Sequence, residues 1–143
     1  MLDRARNIAL LLARVATGVI FLVHGYQKFA TMGIAGTTQF FESIDIPLPG
    51  LAAPLVAVLE VVGGIALILG VGLPVFGTLL ALDMVGAIFF AHLQAGFAVG
   101  DGGYEYVLAL AAASLAIGFT GGGALALDRI LGLDKKLAGS RAA

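Results

Sequence analysis

Residues Ile8 to Phe29 read IALLLARVATGVIFLVHGYQKF, and the fold turns on how this stretch is read. An unbroken apolar run of 22 residues is long enough to cross the hydrocarbon layer of a bilayer as one helix. Yet the run also carries Arg14, His24 and Lys28, which a lipid-facing helix has no reason to hold. Successive helical residues turn by about 100°, so Arg14, Thr17, Phe21, His24 and Lys28 fall along one stripe. Basic groups on a membrane helix are costly unless their face looks into a bundle or toward water. The stripe therefore predicts acidic or polar partners elsewhere in the chain.

The composition supports a membrane setting. Of 143 residues 60% are hydrophobic and 12% charged, with a mean hydropathy of +1.06. Ordinary soluble domains carry roughly twice that charged share. The net charge of −1 offers no electrostatic case for a nucleic-acid partner. Cysteine is absent, which removes disulfides, thiolate metal sites and any thiol redox centre in this chain. The first residues could pass for the charged region of a signal peptide. However, the apolar run behind them is too long, and His24-Gly25-Tyr26-Gln27-Lys28 makes a poor cleavage site, so the reading is a retained first span.

Three further apolar segments lie at 51–70, 73–92 and 104–121, each long enough to cross a bilayer at ~1.5 Å per residue. Pro47-Leu48-Pro49-Gly50 ends the preceding element and opens the second segment. Only Gly70-Val71-Gly72-Leu73-Pro74 separates the second from the third, which makes those two a tight antiparallel hairpin. A glycine-rich connection from Gly96 to Gly103 leads to the fourth, and Gly121-Gly122-Gly123 ends it. The expectation is a single all-α membrane domain over residues 1–143, an integral four-helix bundle. The glycines and alanines within the spans, among them Gly63, Gly64, Gly77 and Gly86, read as helix-packing positions. In the connection between spans one and two, Phe40, Phe41 and Ile44 form an apolar edge opposite Gln39, Glu42 and Ser43, which predicts a short surface helix. The tail from Asp128 to Ala143 reads as a brief surface helix and a frayed end. Arg4 and Arg6 precede the first span, and Arg129, Lys135, Lys136 and Arg141 come after the fourth, so both termini are expected in the cytoplasm.

With that topology the ionisable groups fall into two layers. Arg14, Glu60 and Asp83 occupy a midplane-to-inner layer; His24, Lys28, His92 and Glu105 occupy an outer one. For the inner layer, one reading pairs Arg14 with Glu60 or Asp83 as a structural ion pair that sets helix register. The other is a buried proton or ligand site, with Glu60 as the better candidate because it shares a face with Gly63 and Gly64. For the outer layer, Lys28 has a plainer role as a snorkelling side chain, and each histidine as a partner of a backbone carbonyl. Against that, His24 and Lys28 share a face at i, i+4, with His92 and Glu105 at the same depth, which is the arrangement of a pocket. Asp83 and His92 are nine positions apart and point to opposite sides of an ideal helix, so both reach the centre only if that helix ends or bends. No residue pair has the spacing of a helical metal motif, so no metal site is expected, and no phosphate loop, nucleophile elbow or dinucleotide fingerprint occurs. The residues name no catalytic group and no reaction.

Taken in order, several of these elements resemble the DoxX family of small four-helix bacterial membrane proteins. They are Arg14; His24-Gly25-Tyr26-Gln27-Lys28; Ile46-Pro47-Leu48-Pro49; Glu60-Val61-Val62-Gly63-Gly64; the Gly70-Val71-Gly72-Leu73 turn; Tyr104-Glu105-Tyr106; and Gly121-Gly122-Gly123 running to Leu127-Asp128. Two departures stand out: the closing glycine run lacks a proline, and Asp83 lies outside the family pattern. The resemblance implies the bacterial plasma membrane and an association with redox chemistry and quinones. Some relatives are subunits of a thiosulfate:quinone oxidoreductase; others gather a superoxide dismutase and a sulfurtransferase, or serve quinone and catechol tolerance. The expectation is thus a redox-associated membrane subunit, quinone-linked if it is catalytic, with a small-molecule or quinone pocket in the outer half of the bundle. There His24, Lys28, Glu60, His92 and Glu105 bind ligand or handle protons. The alternative is a non-enzymatic anchor that docks in a larger complex or self-associates among membrane lipids. A small transporter is a third class, disfavoured by the lack of an internal inverted repeat.

Overall fold

The computed structural model describes residues 1–133; the frayed end foreseen for the tail lies outside them. Among the described residues six α-helices occur in order: α1 (Leu2–Ala30), α2 (Gly33–Ser43), α3 (Pro49–Leu69), α4 (Leu73–Ala87), α5 (Glu105–Thr120) and α6 (Leu127–Ile130). The predicted spans fall within α1, α3, α4 with its continuation, and α5. The predicted surface helix is α2, which buries Thr37 and Phe41 and leaves Glu42 and Ser43 exposed.

Beyond Ala87, α4 widens into a π-helical turn over Ile88–His92 and then tightens to a 3-10 turn over Leu93–Ala95. By length and composition, three helices can cross a membrane: Leu2–Ala30, Pro49–Leu69 and Leu73–Ala95. The fourth, α5, is apolar but has only 16 residues, about 24 Å of helix at ~1.5 Å per residue. Its outer surface, like that of the others, presents large apolar side chains such as Leu12, Leu55, Leu82 and Phe119. Lipid, and not water, suits such a surface.

The helices pack chiefly as two pairs, α1 on α3 and α4 on α5. In each pair the backbones nearly touch. A Cβ on Gly18 would stand 2.6 Å from the Gly64 carbonyl oxygen, and one on Gly77 would stand 2.6 Å from that of Ser114. Side chains larger than hydrogen would force both pairs apart, which is why small residues stand there. Of the glycines read as packing positions, Gly64 and Gly77 serve so, whereas Gly86 faces open space. Between the pairs lies the core of Phe21, Leu67, Leu80, Met84, Leu110 and Ile117.

The start of α1 and the segment after α5 share one end of the bundle, which is closed by polar contacts. The segment after α5 folds back so that Ala124 donates to the Asn7 carbonyl at 3.0 Å. Asp128 then reaches the start of α4, accepting from the amides of Gly72 (2.9 Å) and Leu73 (3.0 Å). The α4 start has no capping side chain of its own. A carboxylate supplied from a remote segment satisfies two orphan amides and sits at the positive end of the helix dipole.

Arg14 corrects the expected structural ion pairing. It does not meet Glu60 or Asp83. Instead the guanidinium, 1% exposed, donates to the carbonyls of Gly122 (2.8 Å), Leu67 (3.1 Å), Ile68 and Ala124 (2.8 Å). Leu67 and Ile68 belong to the last turn of α3, whose carbonyls carry the negative end of the dipole; that of Leu67 also accepts from the Gly70 amide at 3.2 Å. Those carbonyls satisfy the fork of an arginine without burying a second charge. Arg14 thereby ties α1, α3 and the glycine-rich segment together.

Candidate functional site

Toward the opposite end the two helix pairs diverge around a cavity of about 540 Å³. Its walls are mostly apolar, with Phe40 and Phe41 of α2 on one side and Phe90 of the π-helical turn on the other. Into this cavity face His24 and Lys28 from α1, Glu60 from α3, Asp83 from α4 and His92 from its continuation. Asp83, assigned to an inner layer with Arg14 in the depth argument, stands instead among these groups. Glu60 moves with it.

Lys28 Nζ lies 2.6 Å from Glu60 Oε2, forming the one ion pair among the described residues. The two side chains are 17% and 5% exposed, so Lys28 does not snorkel. It turns inward to a carboxylate that would otherwise be stranded in an apolar wall. An ammonium has three donors, so the pair leaves two N–H groups uncommitted. Glu60 can sit there because α3 meets α1 closely. A Cβ on Gly25 would stand 2.8 Å from the Val61 amide, which brings the last turns of α1 within reach of the middle of α3.

Both histidines hold backbone carbonyls through Nδ1, His24 to Ile20 and His92 to Gly102, each at 2.8 Å. A carbonyl only accepts, so Nδ1 carries the hydrogen in both rings and Nε2 is the atom left for other contacts. The π-helical turn at Ile88–His92 explains how Asp83 and His92 line the same cavity. It adds a residue to one turn, rotating the rest of the helix relative to an ideal one. Asp83 Oδ2 is buried and has no hydrogen-bond partner, alone in this respect among the described side chains.

Glu105 does not join this group. Its Oε1 accepts from the Val99 amide at 2.7 Å, bracing the loop before α5, and it is absent from the cavity wall. Tyr106, its neighbour, faces the cavity instead. Among the described residues no cluster of three His, Asp or Glu side chains is close enough to hold a metal ion. Chemically, the cavity offers donors on Lys28, two imidazole Nε2 atoms, and acceptors on Glu60 and Asp83 beside aromatic surface.

Comparison with known proteins places this arrangement in a lineage. Residues 9–93 match the DoxX family, a stretch that holds Arg14 and the five His, Lys, Asp and Glu side chains of the cavity. The chain belongs to the DoxX family. It is 40% identical to the "Putative oxidoreductase CatD" of Bacillus subtilis, over 94% of this chain and 96% of that protein. Inner membrane protein YphA of Escherichia coli is 35% identical, over 87% of this chain and 91% of that protein. Inner membrane protein YqjF of the same organism is 29% identical, over 91% and 97% respectively. No solved structure matches. Together with its apolar helices, these relatives make this DoxX chain a multi-pass protein of the bacterial inner membrane.

Reading the sequence missed two features of the DoxX chain. One is the Asp128 cap, for which a signal existed: α4 begins at Gly72-Leu73-Pro74 with no Ser, Thr, Asp or Asn to cap it, so a cap from elsewhere was needed. The other is the clasp of carbonyls around Arg14. Backbone acceptors leave no mark in side-chain composition, and only the folded path of residues 121–126 reveals them.

Proposed function

We propose that this chain is a redox-associated membrane subunit whose cavity binds a quinone or another small apolar molecule bearing a carbonyl or anionic oxygen. In this reading all four long helices cross the membrane, both termini are cytoplasmic, and the cavity lies in the outer half. Lys28 donates to the ligand oxygen, His24 Nε2 is the acceptor beside it for a ligand hydroxyl, and Glu60, bonded to Lys28, is the proton-handling group. His92 borders the same space, whereas Glu105 braces the adjacent loop. The observation that carries the proposal is the cavity itself: about 540 Å³, walled by aromatic and aliphatic side chains, with the Lys28–Glu60 pair set in its wall. Small-molecule sites combine an apolar body with a few such polar groups. The name of the Bacillus subtilis relative agrees with a redox association.

Titration of the purified chain in lipid nanodiscs with duroquinone tests this. Saturable binding is expected, weakened about tenfold or more by Lys28→Met and by Glu60→Gln, since each change removes or unpairs a charged or polar contact. Binding indifferent to both substitutions would remove the pocket from the proposal. The orientation is checked separately: with no native cysteine, single cysteines placed at Arg4 and Gln94 report sidedness without background. Labelling of Gln94→Cys alone in intact cells is the expected result. The remaining exposed apolar surface is where lipid, a second copy or a larger complex covers the subunit, and chemical cross-linking in membranes distinguishes these.

A further inference from the structure

Glycine inside a membrane helix ordinarily serves close packing. Beyond the first turn of α1, α3, α4 and α5, a Cβ on each glycine but one would stand 3.1 Å or less from a neighbouring helix. The exception is Gly86, where a Cβ would meet nothing within 4 Å. Gly86 lies within α4, where glycine is second only to proline as a poor helix former, and it lines the cavity. Packing does not account for it, and the room it leaves belongs to the cavity. Helix geometry says where that room lies. Near the closed end α3 and α4 still touch, since a Cβ on Gly63 would stand 3.0 Å from Leu80 Cδ1. From that contact toward the open end, Glu60 stands three residues on along α3 and Gly86 six residues on along α4, roughly 4.5 and 9 Å of helix rise. Gly86 is thus almost one helical turn nearer the mouth than the Lys28–Glu60 pair, and on the other helix pair. Phe90, one turn further along, lines the cavity and is 44% exposed; Phe40 of α2 lines it and is 47% exposed. These two rings give the cavity an apolar mouth.

We infer that Gly86 is a specificity-determining residue: the cavity takes a molecule whose oxygen-bearing head lies at the Lys28–Glu60 pair and whose apolar extension passes over the bare backbone of Gly86 toward Phe40 and Phe90. The inference rests on the cavity being a small-molecule site, as proposed above, and adds the shape of the ligand. At about 540 Å³ the cavity falls within the roughly 300–1,000 Å³ that houses a drug-sized molecule, which leaves room for a body longer than one ring. A side chain at position 86 would stand in the path of the extension and leave the head untouched.

The test compares two quinones of similar head, duroquinone and 2,3-dimethyl-5-decyl-1,4-benzoquinone, titrated into the full chain in nanodiscs of one lipid composition. Each compound's affinity for a variant is divided by its affinity for wild type, so partition into the bilayer cancels. Gly86→Leu is expected to weaken the decyl compound about tenfold or more and duroquinone less than about threefold, since a side chain placed in an occupied space forces the occupant out. Gly86→Ala adds one methyl group and should weaken the decyl compound about threefold. Its melting temperature without ligand should be unchanged or higher, because alanine is the better helix former. Should Gly86→Leu not fold, Gly86→Ala carries the comparison. Equal weakening of the two compounds, no weakening of the decyl compound, or a clearly lower melting temperature of Gly86→Ala overturns the role given to Gly86 and leaves the pocket standing. Wild type that binds duroquinone and refuses the decyl compound overturns the extension. Failure of wild type to bind either compound overturns the pocket and the inference together.

Discussion

At the end that holds the start of α1 and the segment after α5, Arg14 meets four backbone carbonyls and Asp128 meets two backbone amides. At the other, Lys28 meets Glu60, and Asp83 Oδ2 meets nothing. Both ends bury charged side chains in an apolar bundle, but only the first surrounds them with complete sets of partners. Fully satisfied polar groups rigidify a fold, whereas an unsatisfied one is tolerated where something other than stability maintains it. The contrast teaches that burial of charge does not by itself mark a site; the unused valence does. Arg14 is as fully buried as Glu60, at 1% and 4% exposed, yet it has least left to offer a ligand.

Mutation can break this comparison at either end. The largest effect is expected from Arg14→Met, which strands carbonyls of α3 and of the 122–124 segment together: a loss of about 3 kcal/mol or more, read as thermal unfolding in detergent. A shift under about 1 kcal/mol would show that the clasp is dispensable. Next comes Lys28→Met, expected to cost about 2–3 kcal/mol because it leaves Glu60 buried and unpaired. Adding Glu60→Gln should recover most of that loss, and a double-mutant cycle measures the coupling. Additive losses in that cycle would mean that the pair is not formed. Asp128→Ala removes the cap on α4 and should cost about 1–2 kcal/mol, visible as earlier unfolding. Smallest, and opposite in sign, is Asp83→Leu: unfolding without ligand should be unchanged or delayed by up to about 1 kcal/mol, because an unmade hydrogen bond is removed. A marked destabilisation there would place Asp83 with the satisfied groups and erase the difference between the ends.

Much of this was legible in the chain. The long apolar runs, the prolines at the start of α3 and α4, and the Gly70–Gly72 turn marked the helices, because hydrophobic length and backbone permissiveness are properties of local sequence. Along the stripe, Arg14, Thr17 and Phe21 are buried and Lys28 half-buried, while His24 borders the cavity but stays exposed. Depth at Cα groups Glu60 and Asp83 with Arg14 and leaves Lys28 between the headgroups and an outer pocket, whereas the Lys28–Glu60 pair joins the two layers. A lysine stem reaches several ångströms along the helix axis, so depth at Cα is a poor guide to where its ammonium lies. Glu105, at the right depth for the pocket, was claimed by a loop amide that no spacing rule foresees.

The sequence by itself therefore determined a helical, membrane-embedded DoxX chain and the helix face on which its basic groups stand, since apolar run length and helical periodicity act residue by residue. Which acid meets which base was decided only in three dimensions. Glycine contacts set how closely α1 approaches α3, and a single π-helical turn swings His92 round to the side of Asp83. Those are relations between backbones, and they exist only once the helices have packed.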